Sequence, residues 1–307
     1  MKQVKVSVLI PAYNEEENIP YLIEEIEDFL KKHKIEDWEF ILIDDGSIDK
    51  TYEKFLNLSK GKEYLRAYRY SKNQGKTKAL GVGAKYARGK ILVIFDADLQ
   101  FTLEDAKRLV EKIEEGYDLI AGKKIGNYEK KFVSTIYNKL ARIVFKVPVS
   151  DMNAMKAFKK EILEEIPLRK DWHRYIIPFA WEMGYNITEL PVSLRKRRAG
   201  KSKYRGIGRI IVGFMDLIAV KFQLTFLYKP MLFFGTTGLI SIFLGFLVGI
   251  IAVILRYGFN KGNRTLILLC MLLIISGLLL FAIGFIGEGL AGIYDRIQKI
   301  ETKIKEK

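Results

Sequence analysis

Short apolar runs alternate with amphipathic stretches through the first two-thirds of the chain, and each kind of stretch predicts an element. Val4–Ile10 is an apolar run that stops at Pro11 and predicts a strand. Ile19, Leu22, Ile23, Ile26 and Leu30 then recur at helical spacing, so a helix opens at Glu17 or Asn18 with one apolar face. Trp38–Ile43 predicts a second buried strand, followed by a helix from about Asp49 and a strand at Tyr64–Arg69. Asn73–Lys76 reads as a loop and leads into a helix ending near Arg88. Ile91–Phe95 is an unbroken apolar run behind the breaker pair Gly89-Lys90, which predicts a central strand buried on both faces. Glu104–Glu115 predicts the next helix and Asp118–Ala121 the next strand. Strands alternating with helices make a mostly parallel, doubly wound α/β sheet, which binds ligands beyond the carboxyl ends of its strands.

The pattern changes near the end of the chain. Leu232–Leu255 and Leu266–Ile286 carry no charged residue, and each exceeds the ~20 residues that cross hydrocarbon as a helix. The link Arg256–Thr265 joins them as a transmembrane hairpin, which also offers a surface for a homo-oligomer. Basic residues precede the first span and fill the tail Arg296–Lys307, so both termini are expected in the cytoplasm of a two-span cell-membrane protein. In Gly206–Tyr228, Ile207, Ile210, Ile211, Phe214, Leu217 and Ile218 share one helical face, as in a helix lying in the membrane interface. The expected organisation is a cytoplasmic catalytic domain (1–204), amphipathic juxtamembrane helices (205–229), the hairpin (230–290) and a basic tail (291–307).

Composition narrows the chemistry. A formal net charge of +15 over 307 residues calls for a polyanionic partner. Basic residues beside a membrane span are drawn to anionic headgroups, so nucleic acid is not required. The single cysteine, Cys270, lies in an apolar span, and the only histidines are His33 and His173. These numbers exclude disulfides and argue against a zinc site built from Cys or His. Met1-Lys-Gln leads into a short strand rather than a signal-peptide core.

Three predicted strands deliver polar residues to the ligand-binding edge: Tyr13, Asn14 and Glu15 after the first, Asp44 and Asp45 after the second, Asp96 and Asp98 after the central one. In an extended chain the i, i+2 spacing puts Asp96 and Asp98 on one face, about 6–7 Å apart. Two such charges need a cation between them, and hard oxygen ligands select Mg²⁺ or Mn²⁺ completed by a substrate's phosphates. Gln100 offers a third oxygen on that face. Gly75-Lys76-Thr77 resembles the end of a phosphate-binding loop, but Tyr70 stands where that loop needs its first glycine. No Gly-x-Gly-x-x-Gly follows the first strand either.

Pro-Ala-Tyr-Asn-Glu at 11–15, Asp-Asp-Gly-Ser at 44–47, Asn-Gln-Gly-Lys at 73–76 and Asp-Ala-Asp-Leu-Gln at 96–100 resemble family-2 glycosyltransferases of the GT-A fold. Arg197-Arg-Ala-Gly-Lys-Ser-Lys-Tyr204, Lys229-Pro-Met-Leu-Phe-Phe-Gly235 and Gly287-Glu-Gly-Leu-Ala-Gly-Ile-Tyr294 resemble its polyprenyl-phosphate (dolichyl-phosphate) hexose synthase branch. The resemblance implies that Pro11, Tyr13, Glu15 and Asp44 line a nucleoside pocket. It puts Asp96, Ala97 and Asp98 at the diphosphate and its metal, with Gln100 near the ion and Lys76 near the nucleotide-sugar. Arg197 and Lys203 align with basic residues that hold phosphate, and Asp151 begins the acceptor-side loop. Asp98 and Arg197 are the residues expected to bear most directly on catalysis.

The expected reaction moves one hexose from a UDP-glucose- or GDP-mannose-type donor to a polyprenyl phosphate. A phosphate acceptor is already ionised near neutral pH and needs no general base, in keeping with the absence of a histidine from any site-like motif. One displacement would invert the anomeric centre. A polysaccharide-extending enzyme of the same fold is the nearer alternative, but Trp172-His-Arg-Tyr175 does not supply its Gln-x-x-Arg-Trp signature. A non-catalytic membrane scaffold is the other, and the intact Asp96/Asp98 pair speaks against it.

Overall fold

The computed structural model describes residues 3–126, 131–166, 169, 171–198 and 208–305. In chain order the first elements are β1 (Val6–Ala12), α1 (Ile19–His33), β2 (Trp38–Asp44), α2 (Thr51–Leu58), β3 (Leu65–Arg69), α3 (Lys76–Tyr86) and β4 (Ile91–Ile94). They are followed by α4 (Leu103–Glu114), β5 (Leu119–Ile125), α5 (Lys131–Phe145), β6 (Lys156–Lys159), α6 (Lys160–Glu165), α7 (Ile176–Glu182) and β7 (Ile187–Ser193). The seven strands form one sheet in the order β3-β2-β1-β4-β6-β5-β7. All pairings are parallel except those of β6, which runs antiparallel to β4 and β5.

Burial explains the parallel half. Val6, Val8, Ile10, Phe40, Leu42 and Val93 are inaccessible to solvent, as strands covered on both faces require. Ile19, Leu22, Ile23 and Ile26 of α1 join that core, each such side chain contributing about 1.5–3 kcal/mol on burial. α4 starts where Thr102 Oγ1 accepts from Asp105 N at 2.9 Å, a cap of the kind that contributes about 1 kcal/mol.

The sheet differs from the sequence expectation at β1 and β6, among other places. β1 runs through Pro11 to Ala12, because the parallel pairing of Pro11 with Ile43 continues past the point where a proline normally ends a strand. β6 was not foreseen, since Lys156 and Lys159 interrupt the apolar pattern that would have marked it.

The chain separates into two compact units, one ending at Leu217 and one beginning at Ile218. A helix, α8 (Gly208–Tyr228), carries the chain from the first to the second. Its expected apolar face divides: Leu217 is buried while Phe214 and Ile218 are exposed, and Ile207 lies outside the described residues. Beyond α8, a π-helical turn (Met231–Gly235) leads into α9 (Thr236–Tyr257), and α10 (Arg264–Lys305) returns. The basic tail is therefore not a separate helix but the continuation of α10. Met231–Tyr257 and Arg264–Ile293 are long and apolar enough to cross a membrane. A Cβ on Gly238 would meet the carbonyl oxygen of Gly277 at 2.6 Å, so only glycine permits this approach of backbones. Ser241 Oγ donates to the Leu273 carbonyl at 2.8 Å across the same seam.

Candidate active site

The loops after β1 and β2 are stitched together. Asn14 takes a left-handed φ of 52°, its N–H donates to Ser47 Oγ at 2.9 Å, and its Oδ1 accepts from Ile48 N at 2.9 Å. Glu15 N donates to Thr51 Oγ1 at 2.8 Å, and the Glu15 carboxylate accepts from Asn18 Nδ2 at 2.7 Å. Tyr13 is half-buried between these anchors and the end of β1.

Asp44 ends β2 fully buried. Its Oδ1 accepts from the Ser47 hydroxyl and backbone N–H. Arg69 Nε lies 3.1 Å from Oδ2 but off the line of a hydrogen bond, so that buried oxygen keeps an unmet acceptor. Burial raises the carboxyl above its usual range, against the pull of Ser47 and Arg69. A ligand N–H or O–H is what such an oxygen lacks. Gly46 follows at φ +69°, where a Cβ would meet the backbone of Lys72 at 2.7 Å. Asp45 accepts from the N–H groups of Gln74 at 2.7 Å and Gly75 at 2.8 Å, which sets Lys76 at the first position of α3.

β4 stops at Ile94, so Asp96 and Asp98 do not stand on an extended strand, and the face-sharing argument from i, i+2 spacing does not apply. A turn brings them together: Leu99 N donates to Asp96 O at 3.3 Å, and Leu99 takes a left-handed φ of 55°. Ala97 is buried beneath the turn. Lys76 Nζ pairs with Asp96 Oδ1, and Arg197 Nη2 lies 2.8 Å from Asp98 Oδ2. Burial works to raise the Asp96 carboxyl, but Lys76 outweighs it and holds the group below its usual range. At Asp98, burial and then the charge of Asp96 prevail over Arg197 and push the pKa up to about 6. Gln100 contributes its backbone, donating to Asp98 Oδ1 at 3.3 Å and accepting from Arg195 N at 2.8 Å.

This setting fits a divalent cation. Two hard carboxylates stand on one turn, and burial together with the charge of Asp96 raises the pKa of Asp98, which a cation would lower. Among the described residues no three His, Cys, Asp or Glu gather as a metal cage, so an ion held by Asp96 and Asp98 would complete its shell with a donor's phosphates and water.

Asp151 stands apart from Arg197 in its bonding. It is buried, accepts from Asn153 N at 2.9 Å and Asn138 Nδ2 at 3.3 Å, and has Lys124 Nζ at 3.6 Å. These contacts hold its carboxylate beside Lys124. Lys203 lies outside the described residues.

Sequence reasoning passed over two residues. Lys156 heads β6 beside Ile94 and is buried. Desolvation, followed by Lys76, lowers its pKa to about 7. Its signal was a lysine inside the apolar stretch Ala154–Phe158. His173 sits in a 3₁₀ turn (Trp172–Tyr175), with Nδ1 3.1 Å from Thr77 Oγ1. Burial and Lys76 hold its imidazole well below the ordinary range, so it is neutral, and its backbone N–H donates to Thr77 Oγ1 at 3.2 Å. Both side chains line one cavity with Lys76, Asp96, Asn153 and Arg174.

The chain is similar to known proteins. The profile of glycosyl transferase family 2 matches residues 7–166. Dodecaprenyl-phosphate galacturonate synthase of Rhizobium johnstonii is 30% identical over 317 residues, covering 96% of this chain and 90% of its own. Undecaprenyl-phosphate 4-deoxy-4-formamido-L-arabinose transferase of Photorhabdus laumondii is 28% identical over 304 residues, covering 96% and 91%. Glucosyl-3-phosphoglycerate synthase from Mycobacterium tuberculosis, crystallised with Mn²⁺, uridine diphosphate and phosphoglyceric acid, superposes with a TM-score of 0.58 at 19% identity, covering 72% of this chain and 78% of its own. The fold is the expected GT-A arrangement, and the chain belongs to glycosyl transferase family 2.

Proposed function

We propose that the protein is a membrane-bound glycosyltransferase that moves a single sugar from a nucleoside diphosphate donor to a polyprenyl phosphate. The observation that carries this reading is the turn at Asp96–Asp98. It sets two carboxylates, Asp98 buried and Asp96 part-exposed, between Lys76 and Arg197 at the carboxyl edge of the sheet. Relatives named for dodecaprenyl- and undecaprenyl-phosphate products, similar along nearly the whole chain, support the lipid acceptor. The two long apolar helices give such an enzyme its seat in the bilayer.

The donor's base and ribose would lie against Pro11, Tyr13, Glu15 and Asp44, where Asp44 Oδ2 has an acceptor to offer. Asp96 and Asp98 would hold Mg²⁺ or Mn²⁺ against the diphosphate, with Gln100 beside them. When bound, that ion neutralises the charge that grows on the leaving nucleoside diphosphate. Lys76 holds Asp96 ionised for this role. Arg197 exchanges Asp98 for the lipid's phosphate, aided by Lys203, while Lys124 is kept in place by Asp151. The phosphate attacks the anomeric carbon directly and inverts it. His173 is neutral and bonded to Thr77, as suits a site without a general base. The basic residues that flank the two spans support a cytoplasmic side for both termini.

The test offers radiolabelled UDP- and GDP-sugars with a polyprenyl phosphate and scores lipid-extractable label. Label that requires both the lipid phosphate and a divalent ion supports the reading; donor hydrolysis without lipid-linked label contradicts it.

A further inference from the structure

The cavity beside Asp96 holds more positive charge than its carboxylates answer. Lys76, Lys156 and Arg174 line it, and among the described residues Asp96 is its one acidic wall. Asp96 is already paired with Lys76, and the nearby Asp151 is engaged by Lys124, Asn138 and Asn153. Lys156 is only 4% exposed, and its Nζ donates one hydrogen bond, to the Ala154 carbonyl at 3.0 Å. An ammonium has three N–H donors, and among the described residues no carboxylate lies in salt-bridge reach of this one. Arg174 adds a buried Nε without a hydrogen-bond partner. A buried lysine without a counter-ion holds its charge only when a ligand brings the anion.

The sheet order says which part of a donor reaches it. The nucleoside loops follow β1 and β2, the Asp96–Asp98 turn follows β4, and Lys156 begins β6, the next strand across. With strands about 4.8 Å apart, base, diphosphate and sugar map in turn onto β2/β1, β4 and β6. Lys156 therefore stands at the sugar, past the diphosphate.

We propose that this cavity receives a carboxylate carried by the transferred sugar, so that the donor is a nucleotide-activated uronic acid with Lys156 as the counter-ion. The inference rests on the transferase reading above and adds the sugar's class to it. A neutral hexose would present only hydroxyls and bring no counter-ion to Lys156. The donor's own diphosphate and the lipid's phosphate are the other sources of an anion, and the experiment separates the three: loss of the diphosphate contact lowers both donors of a pair alike, and loss of the lipid contact changes the lipid dependence.

The full-length protein is assayed with undecaprenyl phosphate and matched donors: UDP-galacturonate against UDP-galactose, UDP-glucuronate against UDP-glucose, and GDP-mannuronate against GDP-mannose. In the pair that works, the uronate should be preferred at least about tenfold in kcat/KM, as one charge-assisted contact provides. Lys156→Gln should bring the two donors to within about threefold while leaving the dependence on lipid unchanged, and Lys156→Arg should keep most of the preference. The wild-type preference is readable even if a variant folds poorly. Equal or better use of the neutral sugar overturns the inference while leaving the transferase reading intact. So does a Lys156→Gln variant that lowers both donors alike or changes only the lipid dependence. Absence of lipid-linked label from every pair overturns the transferase reading and this inference with it.

Discussion

Arg197→Ala removes the guanidinium that faces Asp98 across 2.8 Å. The Arg197 and Asp98 side chains are 24% and 11% exposed, so water screens little of what Arg197 contributes. A charge-assisted contact contributes about 1.5–3 kcal/mol. If Arg197 transfers that contact to the lipid's phosphate, its loss should lower transfer at subsaturating lipid roughly ten- to a hundredfold, at 1.36 kcal/mol per factor of ten. A second effect has a definite sign. Burial and Asp96 raise the Asp98 pKa to about 6, and Arg197 opposes them. Without Arg197 the carboxyl rises further, so the acid limb of the rate profile, along which activity falls as Asp98 protonates, should move to higher pH. The assay varies polyprenyl phosphate at saturating donor, then the reverse, across that pH range. Arg197→Lys should recover part of the loss, since lysine keeps the charge but not the bidentate fork. Arg198→Ala should be nearly silent, because that guanidinium sits 5.5 Å over the Tyr21 ring. Weakened donor binding with unchanged lipid dependence would refute the assignment of Arg197 to the acceptor.

Asp98→Asn should abolish transfer with the melting temperature retained, and chelation should silence the wild type until Mg²⁺ or Mn²⁺ is restored; full activity in excess EDTA would remove the metal from the account. In metal-free protein the Asp98 carboxyl carbon should titrate near pH 6 by NMR and move to lower pH with Mg²⁺; no movement would place the ion elsewhere. Gly46→Ala should destabilise the fold by about 1–3 kcal/mol, since it combines a left-handed φ with a Cβ driven into the Lys72 backbone; thermal melting reads this as about 2–4 °C for each kcal/mol. A reporter fused after Lys307 should lie in the cytoplasm and one inserted at Asn260 outside it; the reverse would invert the hairpin.

The parallel half of the sheet was legible because β1, β2 and β4 are buried on both faces, and that burial writes continuous apolar runs into the sequence. The polar edge was legible because each run ends in acids or amides. What was not legible depends on turns and on distant pairings. The strand before Asp96 ends earlier than its apolar run, so the aspartates meet through a turn whose left-handed residue is Leu99, not a glycine that would have marked it. β6 joins the sheet antiparallel between β4 and β5, a choice of partners that local periodicity does not encode. Lys156 reaches the cavity from β6 and His173 and Arg174 from the 3₁₀ turn, with no shared motif to announce them. Arg197 was legible as a basic residue, but its ion pair with Asp98 required the fold.

The central claim is that one sugar passes from a nucleoside diphosphate to a lipid phosphate. Mass spectrometry of the extracted lipid, after incubation with the donor that gives label, tests it most directly. The account predicts a single product heavier than the polyprenyl phosphate by one sugar residue, formed with one nucleoside diphosphate released per lipid converted. A ladder of masses would point to a polymer-extending enzyme. Release of nucleoside diphosphate with no change in the lipid's mass would contradict the account altogether.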